Sequence, residues 1–191
     1  NIWNGWKASL LRELYYATDD LLSGGLNADN RDSRVARAQN KVREALTGWD
    51  AQDIEDFIER GYPSYWLSFD TETQVRHAEL TRDAKKSGAE ITINTRIETD
   101  MDATEITVHT TDHPGLFSQI AGAMAVCGAS IVDAKILTLS DGMALDTFWI
   151  QDANGEAFND KGRIAKLRKT LEEVISGQLR PSSEIKKRQV V

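Results

Sequence analysis

Apolar residues recur every three or four positions through the first 87 residues and every second position over much of the rest. Trp6, Leu10, Leu14 and Ala17 mark a helical stripe over residues 3–22, with Leu11, Tyr15 and Leu22 beside it, and Gly24-Gly25 ends it. Val35, Ala38, Val42, Ala45 and Leu46 predict a second helix over 29–46, broken by Thr47-Gly48. A short helix follows over 50–59, with acids placed early, where the positive end of the helix dipole favours them. Gly61-Tyr62-Pro63 stops it. Beyond the aromatic run 64–69, Val75, Ala78, Leu80 and Ala84 predict a helix over 70–86, closed by Ser87-Gly88.

The period then changes to two. Ile91, Ile93, Thr95 and Ile97 alternate with Glu90, Thr92, Asn94 and Arg96, which predicts a half-buried strand. A turn over 99–103 leads to a strand with Ile106, Val108 and Thr110 on one face. Leu116, Ile120, Ala123, Met124 and Cys127 line one side of a helix that Gly128 ends. Val132, Ala134, Ile136 and Thr138 form one face of the next strand, and Ile131, Asp133, Lys135 and Leu137 the other. Ser140-Asp141-Gly142 predicts a hairpin into a strand where Ala144, Asp146, Phe148 and Ile150 alternate with Met143, Leu145, Thr147 and Trp149. Ala153-Asn154-Gly155 turns the chain into a last helix over 160–176, with Ile164, Leu167, Leu171, Val174 and Ile175 at helical spacing.

The fold class is therefore α+β: a helical region, then an antiparallel sheet with two helices on one face. From Thr104 the order is β-α-β-β-α. A ferredoxin-like βαββαβ unit needs one more strand, and GQLRPSSEIKKRQ, which follows the last helix, is polar and broken by proline. The strand at 91–97 can instead pair antiparallel beside 104–110, on the side where the missing strand would lie.

At 191 residues the chain suits one large or two small domains. Its net charge of −7 argues against a general role on nucleic acid or a membrane surface, which requires a basic field. Cys127 is the single cysteine, so no internal disulfide forms. No apolar run approaches the length of a membrane span and no signal peptide opens the chain, so the expectation is a cytoplasmic protein. Asn1 in place of an initiator Met, and a basic stretch over 180–191 ending on Val190 and Val191, suggest a fragment excised from a longer chain.

Candidate chemistry centres on Asp112-His113-Pro114-Gly115-Leu116, where a strand meets a helix. Pro114 fixes φ at a helix start, and Gly115 lets backbone approach a ligand closely. The first-turn N–H groups attract a carboxylate, and Asp112 can cap them or accept from an ammonium group. That suits an amino acid; a plain N-cap followed by a proline is the other reading. His109, Asp112 and His113 lie close in sequence but need not converge, and no third strong metal ligand is evident. His77, among polar helix residues, is expected to be solvated, and Cys127 to be a small core residue rather than a nucleophile. The basic helix 29–46 reads as a solvated face or as a contact surface for an acidic partner domain. The aromatic run reads as a packing anchor or as a stacking surface for a base or sugar. No phosphate loop or nucleophile elbow occurs, and no catalytic constellation is present.

The stretch TEITVHTTDHPGLFSQIAGAMAVCGASIVDAKILTLSDGMALDTFWIQD resembles an ACT domain, through Asp112 to Leu116, Ile120 to Gly122, and Gly128 to Val132. The resemblance implies a βαββαβ module that binds amino acids and regulates the enzyme carrying it. It implies a ligand site made of Asp112, His113, Pro114, Gly115 and Leu116 with the backbone around Ile131, Val132 and Asp133, frequently shared across a dimer. The segments around Asp133–Ile136 and Asp141–Phe148, with WNGWK near the start and YPSYWLS at Tyr62, are similar to a family of bifunctional enzymes of bacterial nitrogen control. Those carry a nucleotidyltransferase domain, an HD hydrolase domain and two C-terminal ACT domains that sense glutamine. On that resemblance residues 1–87 are the helical region after the hydrolase domain, 88–178 the first ACT domain, and 179–191 a linker to the second. The implied partners are glutamine, the PII signalling protein reached through the parent enzyme, and a second ACT domain or a homodimer mate. The chain itself would hold no cofactor, while the parent's catalytic domains would use Mg. A structural ACT module that binds no ligand by itself is the alternative.

Overall fold

The computed structural model describes residues 28–184, together with Leu11, Leu14, Tyr15, Thr18 and Leu22. Those five are helical, as the stripe over 3–22 predicts. The rest of that helix, its glycine stop, the tryptophans at 3 and 6, and residues 185–191 lie outside the described residues. Two compact units emerge: residues 1–83 with 139–141, and residues 84–138 with 142–191.

In the first unit α1 (Ala28–Ala45), α2 (Ala51–Arg60), α3 (Pro63–Ser68) and α4 (Thr71–Ser87) follow in order. Asp50 caps α2 by accepting from the Gln52 amide at 2.8 Å. Pro63 opens α3, where its missing N–H leaves no gap in the ladder. Tyr65 and Trp66 turn inward and meet edge to face, ring centres 5.0 Å apart, with Phe57 edge-on to both. The aromatic run is thus part of the core of the helical unit. The Trp66 indole donates to the Gly61 carbonyl at 2.9 Å, and a side chain at Gly61 would put its Cβ 2.7 Å from that nitrogen.

His77 is not solvated: it is buried on α4, shares a 3.3 Å hydrogen bond with the Tyr65 hydroxyl, and stands edge-on to Phe69. Its polar sequence neighbours hide this, because one helix turn carries both its wet and its dry face. Arg43 of α1 grips Glu55 of α2 at 2.7 and 2.9 Å. That pair is half-exposed, so it contributes less than about 1 kcal/mol.

In the second unit β1 (Ile91–Glu98), β2 (Ala103–Thr111), β3 (Ser130–Lys135) and β4 (Met143–Gln151) form one antiparallel sheet in the order β1-β2-β4-β3. α5 (Leu116–Val126) and α6 (Lys161–Ile175) complete the unit. Ile106 and Val108 from β2, Ala144, Phe148 and Ile150 from β4, Leu116, Ile120 and Met124 from α5, and Leu167 and Leu171 from α6 make one core. The architecture is α+β and consistent with the ferredoxin-like arrangement of an ACT domain. β1 fills the edge beside β2, with Ile91 opposite Thr110 and Glu98 opposite Ala103, so it takes the place of a final strand, and no strand follows α6 among the described residues. Arg168 of α6 donates to the Ile93 carbonyl at 2.8 Å.

Two local expectations change. The strand expected through Thr138 ends at Lys135, and a bulge interrupts it between Ile131 and Asp133. The bulge inserts one residue, so strict alternation fails. Ile131 and Ala134 both pack on the core, while Val132 is 39% exposed. Beyond Lys135 the ladder with β4 resumes only as a single bridge, Thr138 opposite Ala144, before the expected turn at Gly142 (φ 80°). Leu179 packs against the core, and Gly122 of α5 lies against Pro181, where an added Cβ would come within 2.7 Å of the ring.

Candidate ligand loop of the sheet unit

β2 ends at Thr111, and its continuation is held by the β3–β4 connection. The Asp112 amide donates to the Gly142 carbonyl at 3.0 Å. Its carboxylate accepts the Thr138 hydroxyl at 2.6 Å. Asp112 therefore does not cap α5, contrary to one reading of the sequence. The N-cap is Gly115, in the left-handed region at φ 92°, and no side chain bonds to the helix start. Nothing lies within 4 Å of a Cβ built on Gly115, so backbone conformation, not crowding, requires glycine there.

His113 turns back on its own loop, its Nδ1 3.2 Å from the Pro114 carbonyl oxygen, and its carbonyl accepts the Leu116 amide at 3.1 Å. Leu116 is buried in the core. Phe117, 47% exposed, lies nearly parallel to Phe148 with ring centres 6.0 Å apart. Asp112, Pro114 and Gly115 are exposed. The loop thus carries an exposed carboxylate shortly before the first turn of α5, whose opening amides have no acceptor within the helix, although the Leu116 amide is already taken by the His113 carbonyl. A group carrying both an ammonium and a carboxylate matches that pairing of charges.

Ile131, Val132 and Asp133 lie elsewhere. Thr111 stands opposite Met143 at the start of β4, whereas Asp133 stands opposite Trp149 near its end. At roughly 3.4 Å per residue, that places them about 20 Å apart along the strand. Within one chain the two halves of the implied site are not neighbours. Asp133 Oδ1 accepts the amide of its own neighbour Ala134 at 2.8 Å.

Asp146, on the core face of β4 and 2% exposed, is a residue that the sequence reading does not single out. Its Oδ1 accepts the Leu137 amide at 3.2 Å, replacing the ladder bond lost beyond β3. Burial pushes its pKa up to about 6, the Leu137 N–H works against that, and the nearby negative charge of Asp112 adds to it. The available signal was an aspartate in phase with Ala144, Phe148 and Ile150, where an apolar residue belongs.

Cys127 sits at the end of α5, half-buried against the core, with its thiol 3.5 Å from the Thr170 hydroxyl. His109 Nδ1 lies 3.4 Å from the Thr92 hydroxyl on the neighbouring strand, away from the loop contact of His113. Among the described residues no group of three or more His, Cys, Asp or Glu side chains could hold a metal ion. Nor is any described helix long and apolar enough to cross a membrane.

No family model matches the sequence. Curated relatives do. The chain is 51% identical over 179 residues to a bifunctional uridylyltransferase/uridylyl-removing enzyme of Gluconobacter oxydans, covering 93% of this chain and 19% of that protein. It is 48% identical over 187 residues to the enzyme of the same name from Azospirillum brasilense, covering 97% of this chain and 20% of that protein. The Rhodospirillum rubrum enzyme of that name is 45% identical over 178 residues. Along nearly its whole length, then, the chain matches one segment of the bifunctional uridylyltransferase/uridylyl-removing enzymes, and it spans about a fifth of the length of these relatives.

Proposed function

We propose that this chain is a regulatory, amino-acid-sensing segment of an enzyme that uridylylates and deuridylylates the PII nitrogen-signalling protein, and that glutamine is the ligand. The observation that carries the reading is the strand-to-helix loop, where the exposed Asp112 comes three positions before Gly115, the N-cap of α5. The ligand's ammonium group pairs with Asp112 in competition with the Thr138 hydroxyl, and its carboxylate takes the first-turn amides. The backbone at Ile131 to Asp133 joins the site from a second ACT domain or another copy of the chain, since the 20 Å span separates it from the loop within one chain. Residues 1–87 follow an HD hydrolase domain in the parent, 88–178 are its first ACT domain, and 179–191 lead to the second. Catalysis and its Mg belong to other domains of that cytoplasmic parent.

Calorimetry with glutamine tests this, on the chain and on a longer form carrying both repeats. Heat that vanishes with Asp112→Ala supports the loop as the site. Binding by the longer form that survives Asp112→Ala moves the site elsewhere.

A second reading has its own observation. Val132 and Ile136, 39% and 46% exposed, lie on and just beyond the edge strand β3, whose outer hydrogen-bonding side pairs with no strand among the described residues. A purely structural ACT module, pairing edge to edge with a mate, would use that surface. Light scattering that finds a dimer, with no glutamine heat from either form, favours it.

A further inference from the structure

The helical unit contains an open cavity of about 350 Å³ that shares no lining residue with the loop of the sheet unit. Arg34, Arg37 and Lys41 of α1 line it on one side. Their spacing of three and four residues puts all three on one helix face. Trp66, Phe69 and Gln74 line it as well. The volume falls in the range of roughly 300–1,000 Å³ typical of small-ligand pockets. Asp70 also lines it, but one of its carboxylate oxygens already accepts the Thr73 amide at 2.8 Å, and the lining keeps an excess of positive charge.

Gln74 is the telling residue. It is wholly buried, and its Nε2 donates to two carbonyl oxygens, those of Trp66 and Phe69, at 3.0 Å each. Exchanging the amide ends would set oxygen against oxygen twice, so the orientation is fixed. Its Oε1 is buried and has no hydrogen-bond partner among the described residues. An unanswered buried acceptor is costly, and a ligand bearing an N–H or O–H donor would relieve it.

We propose that this cavity binds a nucleoside monophosphate. The three cations of α1 hold the phosphate, for which a multiply charged anion is better matched than a lone carboxylate. The flat base lies in the aromatic part of the cavity beside Phe69, and one of its N–H groups donates to Gln74 Oε1. The site is independent of the amino-acid loop, so the segment would read two small molecules rather than one.

The test is calorimetry of the full chain with AMP and CMP, with inorganic phosphate and ribose 5-phosphate as comparisons. The expected result is sub-millimolar binding of a nucleotide, about tenfold or more tighter than either comparison ligand. Arg37→Glu and Lys41→Glu, both at exposed positions, should each weaken it about tenfold while leaving the far-UV circular dichroism unchanged. No heat with either nucleotide at millimolar concentration overturns the proposal. So does equal affinity for inorganic phosphate, which would reduce the cavity to an anion patch. Nucleotide binding that is unchanged in both variants also overturns it, by placing the ligand elsewhere.

Discussion

The buried carboxylate of Asp146 accepts the Leu137 amide at 3.2 Å, doing for the chain after β3 what a strand carbonyl would otherwise do. The bond has a cost in charge. With its pKa raised to about 6 from 3.8, the folded protein prefers Asp146 protonated. The sign follows: its contribution to stability is fully present below pH 3.8 and is lost as pH rises through about 6. Asp146→Asn keeps an acceptor for Leu137 and removes the charge. It should stabilise the chain above pH 6 by at most about 3 kcal/mol and change little at pH 3.5. Thermal unfolding at pH 3.5 and pH 8 decides this, and an equal gain at both values would contradict it.

His77 works in the opposite direction. Burial pushes its pKa down to about 3, with the positive charge of Arg76 adding to the effect and Asp70 opposing it. The fold holds it neutral, so its contribution is complete above pH 6.5 and lost as pH falls toward 3, at up to about 1.4 kcal/mol per pH unit. His77→Gln should flatten the acid limb of the stability profile while lowering stability at pH 7.5. Urea unfolding between pH 7.5 and 4.5, followed by tryptophan fluorescence, measures both. An unchanged slope would mean that His77 ionises freely in the fold.

Gly115→Ala should cost about 1–2 kcal/mol, because φ 92° is left-handed and disfavoured by any Cβ. Gly115→Asn should cost less, since asparagine tolerates that region better. The melting temperatures of the two variants should therefore rank asparagine above alanine. The reverse order would point to crowding, which the open space around Gly115 rules against.

At Gly122 two effects compete. Alanine in a helix interior gains about 1 kcal/mol over glycine, but here its Cβ would meet the Pro181 ring at 2.7 Å. Overpacking of that kind costs about 1–3 kcal/mol. Gly122→Ala should therefore be neutral to destabilising alone, and stabilising in a background of Pro181→Gly. A double-mutant cycle by denaturant unfolding reads that coupling, and a stabilising single variant would show that Pro181 yields.

Much of this was legible in the sequence because burial imposes a period. β1, β2 and β4, and the helices α1, α2, α4, α5 and α6, follow from apolar spacing, and the edge position of β1 follows from a short connection and a missing partner. What escaped depends on tertiary contacts. His77 among polar neighbours reads as wet until Tyr65 and Phe69 close over it. Asp112 reads as a cap until Thr138, 26 residues on, takes its carboxylate. The bulge at Val132 breaks an alternation that looked regular in residue types alone. The loop 112–116 stood out because proline and glycine constrain backbone locally. The distance between it and Ile131–Asp133 became visible only with the strand register.

The placement of β1 makes the sheet a circular permutation of the βαββαβ order, with the last strand moved to the front. Both arrangements run that strand antiparallel to the same neighbour, so the sheet does not distinguish them. During synthesis the order matters: all four strands are complete once Gln151 is made, before α6 exists. Among the described residues no strand of the sheet follows α6, and a permutant that moves residues 91–98 behind α6 would rebuild the usual order from the same parts.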